Sequence, residues 1–322
     1  FLWFGLAWFL VTGVRALIQL LKTEMWVQNA TISATAVFGF MVIWVSSPID
    51  YIVRPAFPKS ALQGLSSLVT LPSNEQTVVA SWWDYGYASA LLTNFNVLHD
   101  GGGQNTPVTY YVARALMTSS QSEAAGILTY FSENGLEDFK ADIASDKTFD
   151  SKLGLYQKAK SQQTIYLVLS DQTADWIPSI SKIGLWDPMK GVHTFPQGIK
   201  PADGMRYTNL KCNPTKQPDI IQCDGRLFNL KTGMVDKKPL LAGLIQMQDG
   251  TRTVQREYKD NQRAPFILHL IKRGDDAPQI FLAHRRLFNT VFHQMFYLNH
   301  VNDQFFEPIF MQDPDFKVFK IK

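Results

Sequence analysis

Seven residues, Ser81-Trp82-Trp83-Asp84-Tyr85-Gly86-Tyr87, place one carboxylate among large aromatic side chains. A carboxylate only accepts hydrogen bonds, and an indole N–H only donates them. Side by side and shielded by rings, they suit a hydroxyl group, which donates to one and accepts from the other. The stretch reads equally as an aromatic-capped helix start, and its residues alone leave both readings open. Two adjacent tryptophans cannot both face one core from a strand, because successive side chains point to opposite faces.

The other chemical candidates are weaker. Asp100-Gly101-Gly102-Gly103 lacks the lysine of a P-loop and the spacing of a dinucleotide fingerprint, so it reads as a tight turn. The six histidines (His99, His193, His269, His284, His293 and His300) form no metal-ligand pair at helical spacing and read as structural. No nucleophile elbow is present. Cys212 and Cys223 match no zinc pattern. They are either a bridge across a surface loop, in an oxidising compartment, or two free thiols. A net charge of +3 with scattered Lys and Arg argues against nucleic acid as a partner.

Particular elements must hold the aromatic stretch in place. Thr77–Ser81 is β-branched and apolar and predicts a buried strand. A short helix over 87–93 follows, then a strand ending in the glycine turn. This is a βαβ plan with the stretch just past the C-terminal end of its first strand, where such units bind ligands. Helices are predicted next, the second opened by Ser120 and Glu123 as a capping box and closed at Asn134-Gly135. Residues 136–160 are polar and predicted helical. Residues 164–170 predict a buried strand, and a helix follows with Asp171 or Thr173 as N-cap and Pro178 inside it. From Trp186 the pattern becomes antiparallel β, with a hairpin turn at Gln248-Asp249-Gly250-Thr251, an aromatic helix over 287–298 and a last strand at 316–322.

The mean hydropathy of −0.09 hides an asymmetry. Val27–Ile49 contains no charged residue, and Phe1–Leu21 contains only Arg15. Both runs are long enough to cross a bilayer, and Trp3, Trp8, Trp26 and Trp44 stand near their ends. The alternative is a helical hairpin buried in a soluble core. Lys22 and Arg15 put the connection on the cytoplasmic side and everything after Pro48 outside. The expected organisation is transmembrane helices over 1–48, a linker over 49–75, an α/β domain over 76–185 and a β-rich part over 186–322. The first residue is Phe, and the chain reads as the C-terminal part of a longer protein.

Trp82-Trp83-Asp84-Tyr85-Gly86 resembles the signature pentapeptide of the catalytic subunit of oligosaccharyltransferase. Its position after a hydrophobic helix and a short linker is similar to the family's. His99-Asp100-Gly101-Gly102 and the ending 306–322 resemble the bacterial single-subunit enzymes, so the likeness spans essentially the whole chain. The resemblance implies that the triplet Trp82, Trp83 and Asp84, with Tyr85 and Gly86, binds the Ser or Thr of an Asn-x-Ser/Thr acceptor. A second family element, Met-x-x-Ile in bacterial members, falls on Thr173 and Trp176 here, which is a departure from its pattern. Asp-x-x-Lys, the archaeal and eukaryotic form, is absent from this stretch.

The family's metal ligands and catalytic glutamate belong to a membrane region that these residues do not include. No catalytic or metal-binding residue is therefore expected here. The full-length enzyme would use a divalent metal, Mn2+ or Mg2+, to transfer a glycan from a lipid-linked oligosaccharide donor to an acceptor polypeptide. The resemblance places it as a monomer in the bacterial inner membrane with this domain in the periplasm, and predicts that the chain alone transfers nothing. Two other readings are a membrane-anchored peptide- or carbohydrate-binding domain without catalysis, and a different polytopic sugar transferase. The second gives no reason for Trp-Trp-Asp.

Overall fold

The structure, a computed structural model, describes residues 58–71, 76–143, 162–187, 192–193 and 205–322 apart from 262, 276 and 314, together with seven positions between Thr12 and Val37. Those seven are helical. The two runs read as membrane-spanning helices, with Trp3, Trp8, Trp26 and Trp44, otherwise lie outside the described residues. Among the described residues no helix is long and apolar enough to cross a membrane. Phe1–Phe57 and Pro58–Lys322 are two separate units.

Within Pro58–Lys322 the first sheet carries the predicted βαβ unit. Strand β1 (Val78–Ala80) is fully buried and runs parallel to β2 (Asn96–Val97) on one side and β3 (Ile165–Ser170) on the other. Strands covered on both faces read as unbroken apolar runs, and β1 and β3 do. Helix α1 (Lys59–Val69) occupies the segment read as a linker and buries Ala61, Leu65 and Leu68. Helix α2 (Gly86–Thr93) joins β1 to β2. Helix α3 (Pro107–Met117) starts with proline at its first position, where no N–H is needed. Helix α4 (Gln121–Ile143) is interrupted at Gly135, whose φ of 65° is the left-handed break expected at Asn134-Gly135. At its start the Ser120 hydroxyl accepts from the Glu123 N–H, while the Glu123 carboxylate turns to Arg114 and Thr118 rather than closing the box.

Helix α5 (Asp171–Gly184) is capped by Ser170, which accepts from the Thr173 N–H at 3.1 Å. The cap is thus one residue before Asp171, because β3 runs straight into the helix and Ser170 is the last extended residue. Pro178 sits inside α5.

Beyond Trp186 the chain is β-rich. A short pair, β4 (Trp186–Asp187) and β5 (Val192–His193), comes first. Strands β7 (Cys212–Pro214), β8 (Ile220–Cys223), β9 (Arg226–Asn229), β10 (Met234–Val235) and β11 (Lys238–Pro239) form a meander. Cys212 and Cys223 face each other across β7 and β8 and form a disulfide. A third sheet has the order β13 (Thr251–Glu257), β12 (Leu241–Gln248), β14 (Phe266–Lys272), β15 (Gln279–His284) and β6 (Tyr207–Asn209). The β12–β13 hairpin turns at Asp249 and Gly250, both with positive φ, as the sequence predicts.

One expectation is corrected. The β-rich part is not purely antiparallel, because β12 and β14 pair in parallel. Strand β13 is polar and largely exposed, so it takes the outer edge of β12 and leaves the inner edge to apolar β14.

After helix α6 (Val291–Phe296), the last strands β16 (Phe306–Gln312) and β17 (Phe316–Ile321) return to the first sheet, where β17 pairs antiparallel with β3. The aromatic helix over 287–298 is therefore short, and a 3-10 segment, Arg285–Asn289, precedes it. Lys317 of β17 is fully buried. Its ammonium donates to the carbonyl of Phe296 and to Asn299, and pairs with Asp313. Asn299 in turn donates to the carbonyl of Gly250 in the β12–β13 turn. One apolar core runs from Trp82, Val112, Leu128 and Leu167 to Ile245, Phe281 and Phe292, and a second gathers Phe228, Val235, Leu241, Leu244 and Leu268.

Candidate functional site: the turn after the first strand

Strand β1 ends at Ala80, and the chain enters a 3-10 turn, Trp83–Tyr85, with Trp82 still extended. The turn hands over directly to α2 at Gly86. This backbone explains the adjacent tryptophans. Trp82 points into the core and is 2% exposed, Tyr85 is fully buried against Phe316, and Trp83 and Asp84 are half-buried between them. A β-carbon on Gly86 would lie 2.5 Å from the His99 carbonyl oxygen and from the Asp100 α-carbon. Only glycine lets the turn and the 99–100 backbone come this close.

Trp176, on the first half of α5, meets the ring of Trp83 at a centroid distance of 5.2 Å and a tilt of 59°. The structure thus brings Trp176 to the motif from a strand and a helix away. Thr173 is one turn earlier, buried, with its hydroxyl 2.9 Å from that of Ser170. It stands under the helix start, committed to the cap.

Both Asp84 carboxylate oxygens are sealed from solvent. Burial pushes the Asp84 carboxyl up to about 7; the N–H groups of Asp84 and Tyr85 and the Trp176 side chain pull it partly back. None of these donors reaches good hydrogen-bond geometry. Burial likewise raises Tyr85, and Asp171, Asp84 and Asp315 nearby add to the rise. Asp171 and Asp175 on α5 are raised by burial first, and Asp171 further by Asp315 and Asp175.

Ser81 Oγ, the Trp82 indole N–H, both Asp84 oxygens and His99 Nδ1 are all buried without a well-formed partner. Native proteins satisfy the great majority of such atoms, and their concentration here makes the turn the candidate site. Among the described residues no three His, Cys, Asp or Glu side chains converge to hold a metal ion.

The sequence reads His99 as structural, yet it lies edge-on to Trp82; Trp176, expected at the site, offers a polar contact to Asp84 as well as an apolar face. His99 had a signal: the segment His99–Gly103 follows the strand next to β1, at the same end of the sheet. It is the tight turn expected, with Asp100 Oδ1 accepting from the Gly103 N–H at 2.9 Å.

Residues 75–190 match the family model described as the STT3/PglB/AglB core domain. This part of the chain, which carries the turn, Trp176 and the strands β1, β2 and β3 that position them, is similar to domains of that class. The chain's resemblance to the catalytic subunit of oligosaccharyltransferase holds in sequence and in fold. A dolichyl-phosphooligosaccharide-protein glycotransferase of Methanocaldococcus jannaschii is 32% identical over 103 residues, which is 32% of this chain and 11% of that protein. An undecaprenyl-diphosphooligosaccharide–protein glycotransferase of Campylobacter jejuni is 22% identical over 297 residues, 85% of this chain and 40% of that protein. The crystal structure of the C-terminal domain of C. jejuni PglB superposes with a TM-score of 0.59 at 17% identity, covering 81% of this chain and 99% of that one. The chain therefore spans well under half the length of these curated relatives.

Proposed function

We propose that this chain is the acceptor-reading part of an oligosaccharyltransferase, which transfers a lipid-linked oligosaccharide to the asparagine of Asn-x-Ser/Thr. The observation that carries the reading is the group of unpartnered buried atoms at the turn: a donor on Trp82 and an acceptor-only carboxylate on Asp84. A serine or threonine hydroxyl completes both. It donates to the Asp84 carboxylate and accepts from an indole N–H, while Trp83 and Trp176 keep water away. A hydroxyl donor also favours the ionised carboxylate, so acceptor binding draws the Asp84 proton off.

The domain is assigned to the extracytoplasmic side of a bacterial membrane, and its disulfide fits that oxidising compartment. The family's divalent metal does not fit the described residues. Asp84 is sealed among aromatic side chains, and no further carboxylates or histidines converge on it. No step is routed through a metal here; this chain's part is to bind and orient the acceptor.

A site built around a hydroxyl leaves its own polar groups unpaired when the hydroxyl is absent, so discrimination of about 10⁴ is attainable. NMR titration with Asn-x-Thr and Asn-x-Val peptides tests this. Binding of the first alone, abolished by Asp84→Ala, is expected. Equal affinity for both peptides would overturn the assignment.

A further inference from the structure

We propose that His99, anchored by Thr109, is a positioning residue that holds the Trp82 indole and with it the donor side of the hydroxyl pocket. The proposal rests on the reading of the turn given above. His99 is 2% exposed, and its ring meets that of Trp82 edge-on, with centroids 5.4 Å apart and planes at 72°. Its Nε2 is 2.9 Å from Thr109 Oγ1. The Thr109 hydroxyl has one proton, which the Gln104 carbonyl accepts at 2.8 Å. With that proton on Gln104 the Thr109 oxygen is free to accept from His99 Nε2, and the Ser81 backbone holds the ring as well. Burial keeps the ring neutral, lowering His99 to about 4 against the opposing pull of Asp100 and the Ser81 backbone.

This chain of contacts has a rigid base. Thr109 is in the first turn of α3, whose Val108, Tyr111 and Val112 are core residues. The backbone around His99 is clamped as well. Gly86 touches the His99 carbonyl, and a β-carbon on Gly101 would lie 2.8 Å from the Tyr87 ring. A leucine would fill the same space with apolar contacts. It would not fix the angle of the ring beneath Trp82, because it has no bond to Thr109. The polar bond is thus more than packing needs, and its effect passes to Trp82, whose buried N–H has no well-formed partner of its own inside the fold.

The test uses the whole chain labelled with 15N-tryptophan, the Trp82 indole resonance being assigned by its loss in Trp82→Phe. His99→Leu is expected to move or split that resonance. It should also weaken an Asn-x-Thr peptide about tenfold, the order of one oriented hydrogen bond. His99→Gln, whose amide N–H reaches the position of Nε2, should restore both. If His99→Leu fails to fold, Thr109→Val removes the anchor alone and is read the same way. A Trp82 resonance unmoved by loss of the imidazole or its anchor overturns the proposal. A resonance that moves while peptide affinity stays at the wild-type value leaves the hold on Trp82 standing and overturns the hydroxyl-reading assignment instead.

Discussion

Asp84 combines burial with a missing partner, and both leave a measurable trace. Its folded-state pKa, about 7, lies above the ordinary 3.8. The native state therefore holds the proton more tightly than the unfolded chain, and stability falls as pH rises through the window between those values. Asp84→Asn removes this cost. Its stability relative to wild type should be near zero at pH 4 and rise to about 1–3 kcal/mol at pH 8, less than the full shift implies because the surroundings relax around the charge. Urea unfolding at the two pH values measures it, and an equal difference at both would mean that Asp84 is not the desolvated acid. Trp176 is read separately. One methyl against an apolar ring contributes on the order of 1 kcal/mol, so Trp176→Ala should lower the preference for Thr over Ser acceptors several-fold. Trp176→Phe should keep that preference and weaken both acceptors, because it keeps a ring against Trp83 but loses the polar contact to Asp84. A Thr/Ser ratio unchanged by Trp176→Ala would reduce this residue to core.

Between strand and helix, geometry depends on Gly86. The atoms that a β-carbon would meet there are backbone, the His99 carbonyl and the Asp100 α-carbon, which cannot rotate away. Gly86→Ala must shift the 99–100 segment or the start of α2. It should destabilise by about 1–3 kcal/mol, the usual cost of overpacking, and displace the Trp82 indole with it. Gly135→Ala is the control: its β-carbon meets nothing within 4 Å, and only its left-handed φ is strained. A Gly86→Ala protein as stable as wild type, by urea midpoint, would mean that the two segments do not pack as closely as the turn requires.

Across the whole molecule, the buried histidines tie stability to acid. His269 is stacked on Phe281, with neither ring nitrogen in a well-formed hydrogen bond, and His293 lies against it with Tyr207 on its Nδ1. Burial lowers His269 to about 3 and His293 well below its usual value, the latter also through His269. Both are neutral when folded and take up protons when unfolded, so stability is full above about pH 6.5 and is lost as pH falls below it. Each such histidine contributes a slope of about 1.4 kcal/mol per pH unit there. The urea midpoint should drop steeply between pH 6.5 and 4.5, and His269→Phe should flatten the drop while leaving the pH 8 value nearly unchanged. An identical acid slope in His269→Phe would show that this histidine is not held neutral.

The sequence by itself determined the βαβ unit, the glycine breaks, the disulfide's two alternatives and the chemistry of Trp82 and Asp84. These depend on local backbone preference, apolar periodicity and the donor or acceptor nature of side chains, all written in consecutive residues. It did not contain what arrives from far along the chain. Trp176 comes to Asp84 only because β3 pairs with β1, and α5 begins where β3 ends. His99 reaches Trp82 because β2 lies on the other side of β1. The last strand read as part of the β-rich half, yet β17 pairs with β3 beside the site, with Lys317 buried against α6. Strand partners are chosen by the burial that the whole chain achieves at once, and no window of neighbouring residues records that choice.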